Sequence, residues 1–152
     1  MKRLSNLLAA LVFASLVIFM SCGGGGDDPA PDPLEELAAD LTVSGWAQPS
    51  TVQTDDGTAD GDWSNFSISF SGTKDGGSYT VSGVPDGFSD VWANGTWSFG
   101  NSSGSVITKV QNGVTTDMTA SVSENSLSLE FDVQESTART SGITGEWTFV
   151  FN

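Results

Sequence analysis

Apolar and polar residues alternate with a period of two through most of the chain after residue 42. Phe66-Ser67-Ile68-Ser69-Phe70-Ser71 and Leu127-Ser128-Leu129-Glu130-Phe131-Asp132-Val133 alternate without a break. Trp97-Ser98-Phe99 and Trp147-Thr148-Phe149-Val150-Phe151 place every aromatic ring on one face. One face is apolar and the other is rich in Ser and Thr, the pattern of antiparallel strands with one side buried. Turn residues separate the runs. Asn112-Gly113 between two alternating stretches is a strong hairpin signal, because both positions accept positive φ. Asp75-Gly76-Gly77 and Glu124-Asn125 mark two further turns. The pattern predicts an all-β antiparallel meander of about eight strands, near residues 43–53, 65–72, 78–83, 91–99, 105–111, 114–122, 126–133 and 146–151. A meander of this size closes into a small barrel or folds as a two-sheet sandwich, and periodicity does not separate the two.

The first forty residues follow other rules. Lys2 and Arg3 precede an apolar run over residues 7–20, interrupted only by Ser15. The run falls short of the ~20 apolar residues that span a bilayer. A basic start, an apolar middle and a small residue at the end are the layout of a secretory signal. Phe19-Met20-Ser21-Cys22 ends the run, so the only Cys of the chain sits where a bacterial lipoprotein is cut and acylated. These four residues resemble a lipobox, which implies a signal peptide over 1–21 and lipidation at Cys22. Residues 22–33 then read as a Gly/Asp/Pro-rich tether, flexible at Gly23–Gly26 and stiffened by Pro29, Pro31 and Pro33. Asp27 and Asp28, close behind the Cys, resemble the surface-export signals of Bacteroidota lipoproteins. Residues 34–41 predict one short helix, with Leu34, Leu37, Ala38 and Leu41 on one face, packed as a plug on the domain over 42–152.

Composition removes several classes of function. The 152 residues hold 5 Lys+Arg against 19 Asp+Glu and no His, for a net charge of −14. Cleavage before Cys22 would leave Lys74, Lys109 and Arg139 as the only basic side chains. So few cations argue against nucleic acid as a partner. Without His, Ser-His and Cys-His nucleophile pairs and the commonest metal ligand are absent. With one Cys there is no internal disulfide.

Three groups of residues remain as candidate chemistry. Asp56, Asp60 and Asp62 lie in a run of acids and glycines that could wrap Ca²⁺ weakly, but Ser67 stands where an EF-hand loop needs Glu. The plainer reading is a solvated strand connection without cofactor. Trp63 and Trp92 fall outside the cleanest alternation; the plainer reading buries them as barrel plugs, and the alternative leaves at least one facing solvent as a platform for a sugar ring. Phe88 falls under the same reading. Glu130, Asp132 and Glu146 are acids without a distinguishing spacing. The domain is therefore expected to be non-catalytic, a binding or surface-interaction module. The alternative is a glycan-acting hydrolase with an unidentified carboxylate pair. A repeated Gly-x-Trp-[Ser/Thr]-Phe, at Gly95–Phe99 and Gly145–Phe149, reads as a glycine entering a strand and a ring plugging a barrel end.

In order along the chain, Leu41, Gly45-Trp46, Phe66–Phe70, Tyr79-Thr80-Val81, Trp92–Phe99, Leu127–Phe131 and the terminal aromatic strand resemble the small lipocalin-like domains of Bacteroidota lipoproteins. The resemblance spans residues 41–152. It implies a lipocalin-like small barrel. The lipobox makes the membrane the expected partner through the anchor, with the outer membrane as the expected location, and a glycan or small apolar molecule is the expected ligand.

Overall fold

The computed structural model describes residues 32–43, 45–134 and 143–152. The expected signal peptide, Cys22 and nearly all of the tether lie outside the described residues. Among the described residues, one helix, α1 (Pro33–Thr42), precedes ten strands: β1 (Trp46–Ala47), β2 (Thr51–Thr54), β3 (Gly57–Thr58), β4 (Ser67–Thr73), β5 (Gly76–Ser82), β6 (Gly95–Phe99), β7 (Val106–Gln111), β8 (Val114–Ser123), β9 (Ser126–Val133) and β10 (Gly145–Phe151). They form one antiparallel sheet in the order β1-β4-β5-β6-β7-β8-β9-β10-β2-β3. From β4 to β10 every neighbour in sequence is a neighbour in space, which is the expected meander.

The sheet curls on itself because one segment reaches both of its ends. The expected strand over 43–53 is split in two. Gln48 takes a left-handed φ of 53°, and Pro49 has no N–H to offer a ladder. Before the break, β1 pairs with β4; after it, β2 pairs with β10. The Gln48 N–H donates to Phe66 O at 2.9 Å and the Ser50 N–H to Val150 O at 2.7 Å, so three residues bridge β4 and β10. The two-sheet alternative gives way to a single sheet wrapped around one core.

Alternation fills that core. Ile68, Phe70, Leu127, Leu129, Phe131, Trp147, Phe149 and Phe151 all turn inward and are buried. Rings from opposite walls meet in the middle: Phe66 lies 5.4 Å from Phe149, and Trp92 lies 5.1 Å from Phe131. The Trp92–Phe131 pair meets edge-on, a geometry favourable beyond the area it buries. At the β7–β8 hairpin, Asn112 and Gly113 have φ of 51° and 78°, as the two-residue turn requires.

Antiparallel alternation sorts the connections into two mouths. The β4–β5, β6–β7 and β8–β9 turns lie at one; the β5–β6, β7–β8, β9–β10 and β2–β3 connections lie at the other. Helix α1 covers the first mouth. Asp32 caps it by accepting the Leu34 N–H at 3.0 Å, Pro33 opens it, and Glu35 and Glu36 occupy its first turn. Its buried face carries Ala38 and Leu41, and the Leu41 carbonyl accepts the Trp46 indole N–H at 3.0 Å. Lys74, in the β4–β5 turn, pairs with Asp32 at 2.7 Å and pins the helix start to this mouth. The helix thus packs as the expected plug, starting at Pro33, a residue the sequence pattern gave to the tether.

Candidate functional site

The second mouth is built from the connection between β5 and β6, the β2–β3 turn and the start of β10. The expected strand over 91–99 begins only at Gly95, and residues 91–94 belong to this connection. Two buried polar side chains of β7 hold it there. Gln111 accepts the Ala93 N–H at 3.1 Å and the Tyr79 O–H at 3.2 Å, and donates to Asp90 O at 2.8 Å. Lys109, 1% exposed, donates to Val91 O at 2.7 Å. Its ammonium lies 4.1 Å from the Trp92 ring centre and 3.9 Å from that of Phe131. Hydrogen bonding and two aromatic faces together offset the loss of water around this charge. Burial pushes the Tyr79 phenol well above its ordinary range.

This arrangement corrects the aromatic platform. Trp92 is 1% exposed and Trp63 is 5% exposed, so neither ring faces solvent. The connections that carry them fold into the barrel end, where period-two alternation gives no guidance. Trp92 sits beneath Lys109. Trp63 packs edge-on against Phe66, Phe88, Trp147 and Phe149 at 5.0–5.8 Å, and its indole N–H donates to Asp60 O at 2.9 Å. Trp97 and Trp147, expected in the core, are buried there.

Beside these rings lies a hollow of about 510 Å³, lined by Thr54, Asp55, Asp56, Asp60, Phe88 and Trp147, with residues 143–145 completing it. Phe88 is half-buried and packs against Trp147 at 5.8 Å between ring centres. Asp55 is fixed by accepting the Glu146 N–H at 2.8 Å. Gly145 permits that approach: its φ is 108°, and an added Cβ would lie 3.1 Å from the Asp55 carboxylate. The glycine read as a strand entry is thus also what lets an acid close on the β10 backbone.

The other candidates lie elsewhere. The structure brings Asp56 and Asp60 into the hollow, whereas Asp62 accepts the Ser64 N–H at 3.0 Å; the Ser64 side chain first, and this backbone bond second, hold its carboxyl below the ordinary range. Among the described residues, no group of three or more acids is arranged to hold a metal ion. Glu130, Asp132 and Glu146 are exposed on the outer face of β9 and β10, with Asp132 directly opposite Glu146. Glu130 above all, then desolvation, Asp55 and Asp132, raises the Glu146 carboxyl above its usual value.

Sequence reasoning missed Asp55, Lys109 and Gln111. A signal for the last two existed. The Asn112-Gly113 turn fixes the register, and with Ile107 facing inward, Lys109 and Gln111 must follow it. No protein-family model, curated protein or solved structure matches the chain.

Proposed function

We infer that the chain is an exported lipoprotein, acylated at Cys22, whose β-domain is a non-catalytic binding module presented at the bacterial outer membrane. The observation that carries the binding part is the solid interior. With all five Trp rings at most 6% exposed, the barrel has rings where a ligand cup would need space. Recognition then falls to the outside. Helix α1 closes one mouth, and the hollow opens at the other, so a ligand would meet the end that the helix leaves uncovered. The likeness to small lipocalin-like lipoprotein domains supports the same setting, with ligand binding moved from the barrel interior to its rim. Metabolic labelling with a fatty-acid analogue tests the anchor. Wild type should be labelled and Cys22→Ala unlabelled and released from membranes; equal labelling of both would refute acylation at Cys22.

A further inference from the structure

We propose that the connection between β5 and β6 is a strap latched across the second mouth by the buried ammonium of Lys109, and that this latch sets Phe88 in the wall of the hollow. The proposal concerns how that wall is held, so it depends neither on the binding-module reading nor on the lipid anchor. The strap, residues 83–94, belongs to no strand. Its own backbone bonds are local. The Phe88 N–H donates to Pro85 O at 3.1 Å, and the Val91 and Trp92 N–H groups donate to Phe88 O at 3.0 and 3.2 Å. A segment folded on itself in this way can open as a unit while the sheet stays paired.

Lys109 grips the strap from inside the barrel. Its ammonium donates to the strap's Val91 carbonyl at 2.7 Å. It also lies over two rings, that of Trp92 in the strap at 4.1 Å and that of Phe131 in β9 at 3.9 Å. One charge thus joins the strap to two wall strands, β7 and β9. An apolar side chain could fill the same space without the cost of stripping water from a charge. What the ammonium adds is a bond to Val91 O stronger than a neutral one, and the attraction of both ring faces. The hold passes on to the hollow through the Val91 N–H, whose acceptor is the Phe88 carbonyl. The Phe88 ring lies 5.5 Å from Trp63 and 5.8 Å from Trp147. Its seat is tight: a Cβ added at Gly61 would lie 3.0 Å from the Phe88 Cε2. Releasing Val91 therefore displaces Phe88 from the wall it shares with Trp147. Gln111 still holds Ala93 and Asp90, so the loss of Lys109 loosens the strap without freeing it.

The test is amide hydrogen exchange of the full chain carrying Cys22→Ala, with and without Lys109→Met, which keeps an unbranched apolar side chain and removes the charge. The Val91 and Trp92 amides should exchange about tenfold faster in the variant, the loss expected for one hydrogen bond to a charged group. The amides of β9, a strand paired on both sides, should keep their wild-type rates. Unchanged Val91 and Trp92 rates would mean that apolar packing suffices, and equal acceleration in β9 would make Lys109 a general core residue; either overturns the latch. The indole N–H resonances of Trp63 and Trp147, beside Phe88, should shift in Lys109→Met while those of Trp46 and Trp97 stay fixed. Unmoved Trp63 and Trp147 resonances would refute the placement of Phe88. In Lys109→Ala, n-propylammonium should restore slow exchange and 1-propanol should not; restoration by both, or by neither, would refute the role of the charge. If both variants fail to fold, exchange of the Cys22→Ala chain in rising urea decides. Val91 and Trp92 opening with a weaker urea dependence than β9 supports a strap that detaches alone, and an equal dependence refutes it.

Discussion

Aromatic rings and the few buried polar groups do most of the work at the residue scale. Trp92 touches Phe66, Tyr79, Phe131 and Phe149 and carries the Lys109 ammonium on its face. Trp92→Ala should therefore cost about 3–5 kcal/mol, as for other large core truncations, and should show as a lower urea midpoint. A solvent-facing platform residue would cost far less. On the outer face the sign reverses. Glu146 is charged only against the repulsion of Glu130, Asp55 and Asp132, so its carboxyl pKa is higher in the folded than in the unfolded chain. The penalty is fully present above that folded value and disappears below the ordinary carboxylate value. Glu146→Gln should thus raise the urea midpoint at neutral pH, and the gain should vanish as acid protonates the wild-type side chain.

Elements differ in how far their own residues dictate them. The strands from β4 to β10 follow from alternation and turn chemistry, and the Asn112-Gly113 hairpin forms where those residues require it. An added Cβ at Gly113 would meet nothing within 4 Å, so its φ of 78° alone makes a side chain unwelcome. Gly113→Val should cost about 1–2 kcal/mol by that strain, measured in denaturant. Helix α1 is legible from its apolar spacing, but its fastening to Lys74 is not, because that contact joins residues far apart in sequence. The Asp32 carboxyl is held below its ordinary range, first by the Lys74 hydrogen bond and then by the Leu34 N–H. Its contribution is present above the unfolded value and is lost as pH falls through the folded one. Asp32→Ala should lower the urea midpoint at neutral pH, with the difference from wild type closing in strong acid. The connections were the least legible part. Residues 91–94 carry no alternation to read, and Lys109 and Gln111 take up the backbone groups of this segment and fold it inward. Asp55 was one acid among many until its bond to the Glu146 N–H placed it at the hollow. Asp60 and Phe88 stand out in the sequence for a metal loop and an aromatic platform, and the structure sets both in the lining of the hollow.

For the whole molecule, the consequence is a barrel with two unlike ends and a solid middle. Helix α1 closes one end; the other carries an acid-lined hollow over a layer of rings. All five Trp lie in that solid middle, spread over both ends and both walls, so they report on it together. Acrylamide quenching of the intrinsic fluorescence of the folded chain is the most direct measurement. The filled barrel predicts blue-shifted emission with uniformly weak quenching, approaching that of free tryptophan only after unfolding in urea. A fraction of the native emission quenched as readily as the unfolded chain would mean an open cup or an exposed platform, and would contradict the solid interior on which the binding-module reading stands.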